Sequence, residues 1–203
     1  FLPLIGALFL VFMPKESVAA IKQTALAVAV ADFLLSIFLW TNFDNTSHKM
    51  QFELNVPWIE AWGINFHVGL DGISLLLYVM TTFLTMICVI ASWDVKIHVR
   101  EYMIAMLTLS TGMLGVFIAL DLFMFYVFWE FQLIPMYIII GVWGGPRRVY
   151  ASIKFFLFTA VGSLLMLVAI LWIYFHIQET TGVATADILY ITEHLSAPLG
   201  TQK

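Results

Sequence analysis

Glu130 stands in an otherwise apolar stretch, FMFYVFWEFQLIPMYIII, which covers residues 123–140. A carboxylate at bilayer depth is costly, so such groups usually face a protein interior or a wet cavity and often carry protons or ions. Pro135 follows in the same stretch. Because proline has no N–H, it frees the backbone carbonyl one turn earlier, near Phe131. The sequence therefore predicts a proton or ion site at Glu130, beside a local break in helix hydrogen bonding. The alternative is a buried acid that one neighbouring hydrogen bond satisfies and that serves only packing.

Three more ionisable residues lie in or beside apolar stretches. Lys154 is a candidate relay partner for Glu130, or it extends its amine toward the membrane surface as long basic side chains do. Asp32, with Ser36 one turn later, either pairs quietly inside the helix bundle or joins a polar path, and we favour the quiet interpretation. Asp121 lies between two apolar stretches, where an acid commonly caps the N-terminus of a helix.

The remaining reactive residue types form no pattern of enzyme chemistry. Metal ligands recur at helical spacings in known sites. The five histidines are scattered over loops and helix ends, and none pairs with another ligand type in a geometry that predicts a metal site: His48, His67, His98, His176 and His194. One cysteine, Cys88, cannot form a disulfide framework or an iron–sulfur site. There is no glycine-rich phosphate loop and no pairing of a nucleophile with a base. We therefore expect no bound metal and no covalent catalysis in this chain.

The composition is that of a membrane protein. Apolar residues make up 62% of the 203 residues and charged residues only 11%, and the mean hydropathy is +0.98. Such values exclude an ordinary soluble domain and indicate a bundle of spanning helices. The net charge of −4 is small and gives no sign of a nucleic-acid partner.

Charged residues divide the chain into six apolar segments, which predict an all-α polytopic membrane protein with one embedded domain over residues 1–203. The first segment is shorter than the ~20 residues that a spanning helix needs, so we expect it to be partial and the chain to be a fragment of a longer protein. The predicted helices are 1–13, 23–43, 72–93, 102–120, 122–143 and 149–175, followed by an outer loop over 176–203.

Basic residues are unevenly distributed between the two sides. The loops after the first, third and fifth segments, with the start of the sixth, carry Lys15, Lys22, Lys96, Arg100, Arg147, Arg148 and Lys154; the other loops carry only Lys49 and Lys203. Because basic loops stay on the cytoplasmic side, the first helix is predicted to start outside, and the 44–71 loop to lie outside.

The 44–71 loop has its own pattern. Apolar residues alternate with polar ones over 52–56 and again over 64–70, with Pro57 and Gly63 between the two runs. Period-two alternation around turn residues predicts a small β-hairpin on the outer surface. Trp58 and Trp62 would then lie at the level of the lipid headgroups.

Three stretches carry a family resemblance: PWIEAWGINFHVGLDGISLLLYVMTTFLTMICVIASW (57–93), FIALDLFMFYVFWEFQLIPMYIIIGVWGG (117–145) and YASIKFFLFTAVGSLLMLVAI (150–170). They resemble the NuoM/NdhD-type antiporter-like membrane subunit of respiratory complex I, also called subunit M or subunit 4 of NADH:quinone oxidoreductase. The shorter element FWE is shared with cation/proton antiporter and membrane hydrogenase subunits, whereas the PWI, WGI and DGIS combination favours complex I.

The resemblance implies a fold of about fourteen transmembrane helices with inverted repeats and broken helices, of which this chain is the N-terminal part. It places Glu130 on the family's fifth-helix glutamate, which pairs with a seventh-helix lysine that would lie beyond Lys203. It gives Asp32 no role. It implies proton translocation coupled to quinone reduction, without a redox cofactor in this chain. NADH, flavin, iron–sulfur clusters and quinone would bind to partner subunits.

The implied partners are the neighbouring antiporter-like subunits of complex I and the lipid bilayer, and the implied location is an energy-transducing membrane, specifically the bacterial inner membrane. Two related functions stay open, an Mrp-type cation/proton antiporter and a membrane-bound hydrogenase subunit. A structural membrane anchor is a further alternative, for which Glu130 would be dispensable.

Overall fold

A computed structural model describes residues 1–47 and 49–195, so the sequence features at His48 and Lys203 lie outside the described residues. The helices are α1 (Leu2–Phe12), α2 (Val18–Thr41), α3 (Gly72–Ala91), α4 (Val99–Ile118), α5 (Leu122–Phe131), α6 (Leu133–Trp143), α7 (Arg148–Thr181) and α8 (Ile188–His194). Two strands, β1 (Gln51–Ile59) and β2 (Ile64–Leu70), lie between α2 and α3.

Five of the apolar segments are long enough to cross a membrane: Val18–Thr41, Gly72–Asp94, Val99–Ile118, Leu122–Trp143 and Arg148–Thr181. The first predicted segment forms the shorter apolar helix α1, of 11 residues. The predicted class, a polytopic helical membrane protein with a small β-hairpin, is confirmed.

The fifth segment is divided into α5 and α6 at Gln132, which belongs to neither helix. The division lies one residue after Phe131, whose carbonyl Pro135 was expected to release. The predicted break in helix hydrogen bonding is therefore present, and Glu130 stands in the last turn of α5.

The last long helix extends beyond its predicted end at residue 175. α7 has 34 residues and ends at Thr181. Its C-cap is Gly182, whose φ of 74° lies in the left-handed region that favours glycine at a helix end. Residues 176–181 therefore continue the helix, because the stop signal is Gly182 and not the polar residues before it. Part of the expected outer loop also forms a short helix, α8.

The hairpin pairs β1 with β2 in antiparallel register, with Asn55 opposite His67. The register shifts between Gln51 and Leu54, where Phe52 has a φ of 53°. A non-glycine residue with positive φ is uncommon and marks a local bulge. The predicted hairpin is thus present, with an irregular first strand.

The opposite end of the bundle from the hairpin is fastened by basic side chains. The amine of Lys22 donates to the carbonyls of Trp93 and Val95. The guanidinium of Arg100 donates to the carbonyl of Met13 over 3.0 Å, and Lys15 pairs with a glutamate of α4 over 3.1 Å. These contacts join the start of α2 to the segment after α3, and the 13–15 turn to the start of α4. They lie at the end that the charge distribution assigns to the inside.

Candidate intramembrane acid site

Glu130 lies at the end of α5 with one carboxyl oxygen enclosed. Its Oε1 atom is buried and has no hydrogen-bond partner among the described residues. Leaving a buried polar atom unsatisfied costs about 1–3 kcal/mol, and more for a charged group. This oxygen can therefore take up a partner or a proton without first breaking a contact of its own.

The polar groups nearest Glu130 come from α5 and α7. The Tyr126 hydroxyl, one turn earlier on α5, lies within interaction range of both Glu130 and Ser163 of α7. Ser163 is almost fully buried and turns its hydroxyl to the carbonyl of Ala160. The site is therefore a small polar group at the contact between α5 and α7.

Glycines on α4 allow the broken helix to approach closely. A Cβ atom on Gly115 would lie 2.3 Å from the Phe128 ring, and one on Gly112 would lie 3.0 Å from the Cβ of Gln132. Distances this short leave no space for a larger side chain. The two glycines thus place the α5–α6 break, with Glu130 beside it, directly against the C-terminal half of α4.

The structure does not bring Lys154 to Glu130. The Lys154 side chain is exposed and its amine lies 5.9 Å from the centre of the Tyr150 ring. Ser152, which is 1% exposed, marks the face of α7 that packs on α6, and two residues along a helix turn the side chain by roughly 200°. Lys154 therefore points away from α6, and its relay role stays a prediction.

Asp32 lies on α2, apart from Glu130, near a row of polar side chains that connects α2, α3 and α4. Its side chain is 4% exposed, and no hydrogen bond reaches its carboxyl group from the described part of the chain. One turn later Ser36 contacts Thr82 over 2.8 Å, and Thr85 donates to Ser110 over 3.2 Å. The favoured interpretation of Asp32, a quiet pairing within the bundle, stays a prediction.

Asp121 has the capping role that the sequence predicts. It is fully buried, and its Oδ1 accepts the backbone N–H groups of Phe123 and Met124 at 2.9 and 3.1 Å. Its Oδ2 accepts the N–H of Asn65 in the hairpin at 3.1 Å. Burial raises the pKa of the Asp121 carboxyl, although these hydrogen bonds act in the opposite direction. Asp121 thus starts α5 and holds the hairpin against it.

Sequence reasoning missed one titratable group near this junction. His67 is only 2% exposed, and its ring contacts Glu53 and Asp187 on opposite sides. Within residues 1–47 and 49–195, no group of histidine, cysteine and acidic side chains could hold a metal ion. Alternation along the strands could have placed Glu53 and His67 on one face, but nothing local predicts the contact with Asp187.

A protein family matches the part of the chain that contains Glu130. Residues 119–195, which include α5, α6 and α7, match the family described as NADH:quinone oxidoreductase/Mrp antiporter, transmembrane. The chain is 44% identical to NADH-ubiquinone oxidoreductase chain 4 of Marchantia polymorpha over 95% of its own length, and 40% identical to NADH-quinone oxidoreductase subunit M of Rickettsia typhi over its whole length. The predicted family resemblance is confirmed. The chain covers 38% and 42% of the length of these two relatives.

The fold also matches solved structures. In respiratory complex I from Thermus thermophilus with bound NADH, one chain superposes with a TM-score of 0.80 and 27% identity, covering 98% of this chain and 39% of that chain. The Mrp complex from Dietzia sp. DQ12-45-1b superposes with a TM-score of 0.74 and 19% identity, covering 100% of this chain and 21% of that chain. At that identity the second match shows the fold alone, which is antiporter-like.

Proposed function

We propose that this chain is part of a proton-translocating membrane subunit of an NADH:quinone oxidoreductase, and that Glu130 exchanges protons within the membrane. The observation that carries the proposal is the enclosed Oε1 atom of Glu130, which has no partner in the described residues although it lies in a membrane-spanning segment. Ionisable groups in such positions usually serve transport. The 40–44% identity to subunit M and chain 4 proteins supports the choice of enzyme.

The proposed mechanism is electrostatic. An ionised Glu130 stabilises the charged form of a nearby lysine, and a lysine drawn away from it passes its proton onward more readily. Such coupling is strong where bulk water is excluded. The family resemblance places this lysine in a later helix, beyond residue 203. Lys154 is less suited, because it points away from the face of α7 that packs on α6.

The electron-transfer steps belong to other subunits in this proposal. NADH, flavin, iron–sulfur clusters and quinone would bind there, and this chain would contribute only to proton movement. Its partners would be neighbouring antiporter-like subunits and the lipid bilayer. We place the assembly in an energy-transducing membrane, specifically the bacterial inner membrane, in line with the identity to the Rickettsia subunit M.

A second candidate function is an Mrp-type cation/proton antiporter subunit. The matched family description includes Mrp antiporters, and the Dietzia Mrp complex shares the fold. In that case Glu130 would serve exchange of a cation for protons, without any redox reaction. A membrane-bound hydrogenase subunit, which would pump with another electron donor, is the third possibility.

The test uses the full-length protein in inside-out membrane vesicles, with Glu130→Gln as the variant. NADH-driven proton uptake is measured together with quinone reduction and assembly of the complex. We expect proton uptake to fall at least about tenfold in assembled complex, because glutamine cannot carry the proton. Glu130→Asp, which keeps the carboxyl group, should retain part of the activity, and Glu179→Gln on the exposed side of α7 should retain all of it.

Two results would decide against the proposal. Wild-type proton uptake in assembled Glu130→Gln complex would exclude proton exchange at this residue. A sodium gradient that drives proton movement in vesicles without NADH or quinone, and that the same variant abolishes, would favour the antiporter function.

A further inference from the structure

A buried histidine joins three segments on the side of the hairpin. Nδ1 of His67 lies 2.6 Å from Oδ2 of Asp187, in the segment after α7. Nε2 lies 2.8 Å from Oε1 of Glu53 on β1. The backbone carbonyl of His67 also accepts the N–H of Leu120, at the end of α4. Both ring nitrogens are thus in hydrogen-bond contact with carboxyl oxygens, in a ring that is 2% exposed.

These two contacts require a proton each. An ionised carboxylate only accepts hydrogen bonds, and a neutral imidazole has one N–H and one bare nitrogen. With a neutral ring and two carboxylates, one of the two contacts would set a lone pair against an oxygen anion. A second shared proton removes the conflict, because an imidazolium ring has two N–H groups and donates to both carboxylates.

We propose that His67, Glu53 and Asp187 form a proton-binding site on the outer surface, in which an imidazolium bridges two carboxylates and fastens the hairpin to the segment that follows α7. The ligand is a single exchangeable proton. The site is separate from Glu130, and it does not depend on the proposed transport function.

The ionisable groups that face His67 are acids. β1 contributes Glu53, the segment after α7 contributes Asp187, and the junction of α4 and α5 contributes Asp121, whose backbone pairs with that of Asp187. The ion pairs of His67 among the described residues are all with acids, and no lysine or arginine pairs with these three acids. Negative charge around an imidazolium stabilises it.

Loss of the proton should weaken the contact between the hairpin and the segment after α7. Asp187 also accepts the N–H of Tyr190 through Oδ1 at 2.9 Å, as the N-cap of α8. Asp187 is therefore held in place and cannot rotate freely to avoid a bare ring nitrogen. At alkaline pH one bridging contact becomes repulsive, so the hairpin should separate from this segment more often.

The experiment measures limited proteolysis of the hairpin, residues 51–70, in the full-length protein in membrane vesicles with the outer side exposed. Cleavage rates are compared from mildly acidic to alkaline pH in wild type, His67→Gln and His194→Gln. The last is the control, because His194 is an exposed histidine of α8 whose contacts among the described residues are with its own helix turn and the ring of Tyr190. Rates are divided by those for an unstructured peptide, which removes the pH response of the protease.

We expect the wild-type rate to rise roughly ten- to a hundredfold between neutral and alkaline pH, the range that corresponds to one hydrogen bond to a charged group. His67→Gln should be cleaved rapidly at every pH, and His194→Gln should follow wild type. A wild-type rate that does not change with pH would overturn the proposal, since a purely structural histidine gives that result.

A second measurement needs no variant. Nitrogen NMR of the histidine-labelled full-length protein, with His67 assigned by its contacts to carboxyl carbons, reports the proton on each ring nitrogen. Two protonated nitrogens at neutral pH, one of them losing its proton at alkaline pH, are expected. A bare ring nitrogen at neutral pH would contradict the proton-binding site even if His67→Gln failed to fold.

Discussion

The two acids at the ends of α5, Asp121 and Glu130, differ in the hydrogen bonds that their carboxyl groups make. Asp121, at the N-cap, is fully buried and accepts three backbone N–H groups with its two oxygens. Glu130, in the last turn, is half-buried and has an enclosed oxygen with no partner in the described residues. Asp121 caps the helix in whose last turn Glu130 lies, and both acids are within one matched family segment.

The contrast separates structural from functional acids. The hydrogen bonds of Asp121 hold the start of α5 and the hairpin together. A change in the charge of Asp121 would therefore disturb the fold. Glu130 contributes few contacts that a change in protonation would break. A proton-carrying group needs this second arrangement, since each turnover must charge and discharge it.

The largest expected effect is on stability and concerns Asp121→Ala. The variant loses a helix cap, which is worth about 0.5–2 kcal/mol, and leaves the N–H of Asn65 unpaired, at about 1–3 kcal/mol. We expect the purified full-length protein to lose about 2–4 kcal/mol of unfolding free energy, measured by thermal unfolding in detergent. Asp121→Asn, which keeps one acceptor oxygen, should lose less. Equal stability of wild type and Asp121→Ala would contradict the structural role assigned to Asp121.

Glu130→Met should have the reverse effect on stability. Replacing a half-buried acid that has one enclosed, unpaired oxygen by an apolar side chain of similar length is neutral or stabilising, by up to about 1–2 kcal/mol. The same variant should abolish proton uptake, so stability and activity change in opposite directions. A clear loss of stability in the same unfolding measurement would mean that Glu130 makes structural contacts after all.

The pH dependence of two caps should differ in sign. Asp71 caps α3, and the N–H of Ser74 lowers the pKa of its carboxyl; burial raises that of Asp121. The stabilisation from Asp71 is therefore full above the unfolded pKa and is lost as pH falls through the folded pKa. The contribution of Asp121 is full below the unfolded pKa and is lost as pH rises through the folded pKa.

Thermal unfolding across the acidic range checks this pair. Relative to Asp71→Asn, wild type should gain stability with rising pH. Relative to Asp121→Asn, it should lose stability with rising pH. Slopes of the same sign for both pairs would contradict the assignment of the two causes.

The smallest effect is expected for Lys154→Gln. Because its side chain is exposed and points away from the face of α7 that packs on α6, stability should change by less than about 0.5 kcal/mol. Proton uptake should change by less than about twofold, on the scale where tenfold is 1.4 kcal/mol. A loss comparable with that of Glu130→Gln would restore Lys154 as the relay partner.

Much of the fold follows from local sequence. Runs of apolar residues predict the spanning helices, period-two alternation predicts the hairpin, and Pro135 predicts the break at Gln132. The end of α7, just before Gly182, is missed because the polar residues that precede it resemble a loop. Glycine was the better signal there, since it adopts the left-handed conformation at a helix end.

The site is predictable only in part. The residue type and its apolar surroundings are enough to single out Glu130, but its unpaired oxygen depends on how α4 and α7 pack around it. The direction of Lys154 depends on which face of α7 meets α6. His67 is the clearest omission, since it contacts Asp187 across 120 positions of sequence. Contacts at such separations follow from the tertiary fold and not from local pattern.

The most direct measurement is isotope-edited infrared difference spectroscopy of the full-length complex during turnover with NADH and quinone. Glu130→Gln serves as the reference that assigns the band of this carboxyl group. We predict a protonated-carboxyl band that appears and disappears with turnover in wild type and is missing in Glu130→Gln. Identical difference spectra for wild type and the assembled variant would contradict proton exchange at Glu130.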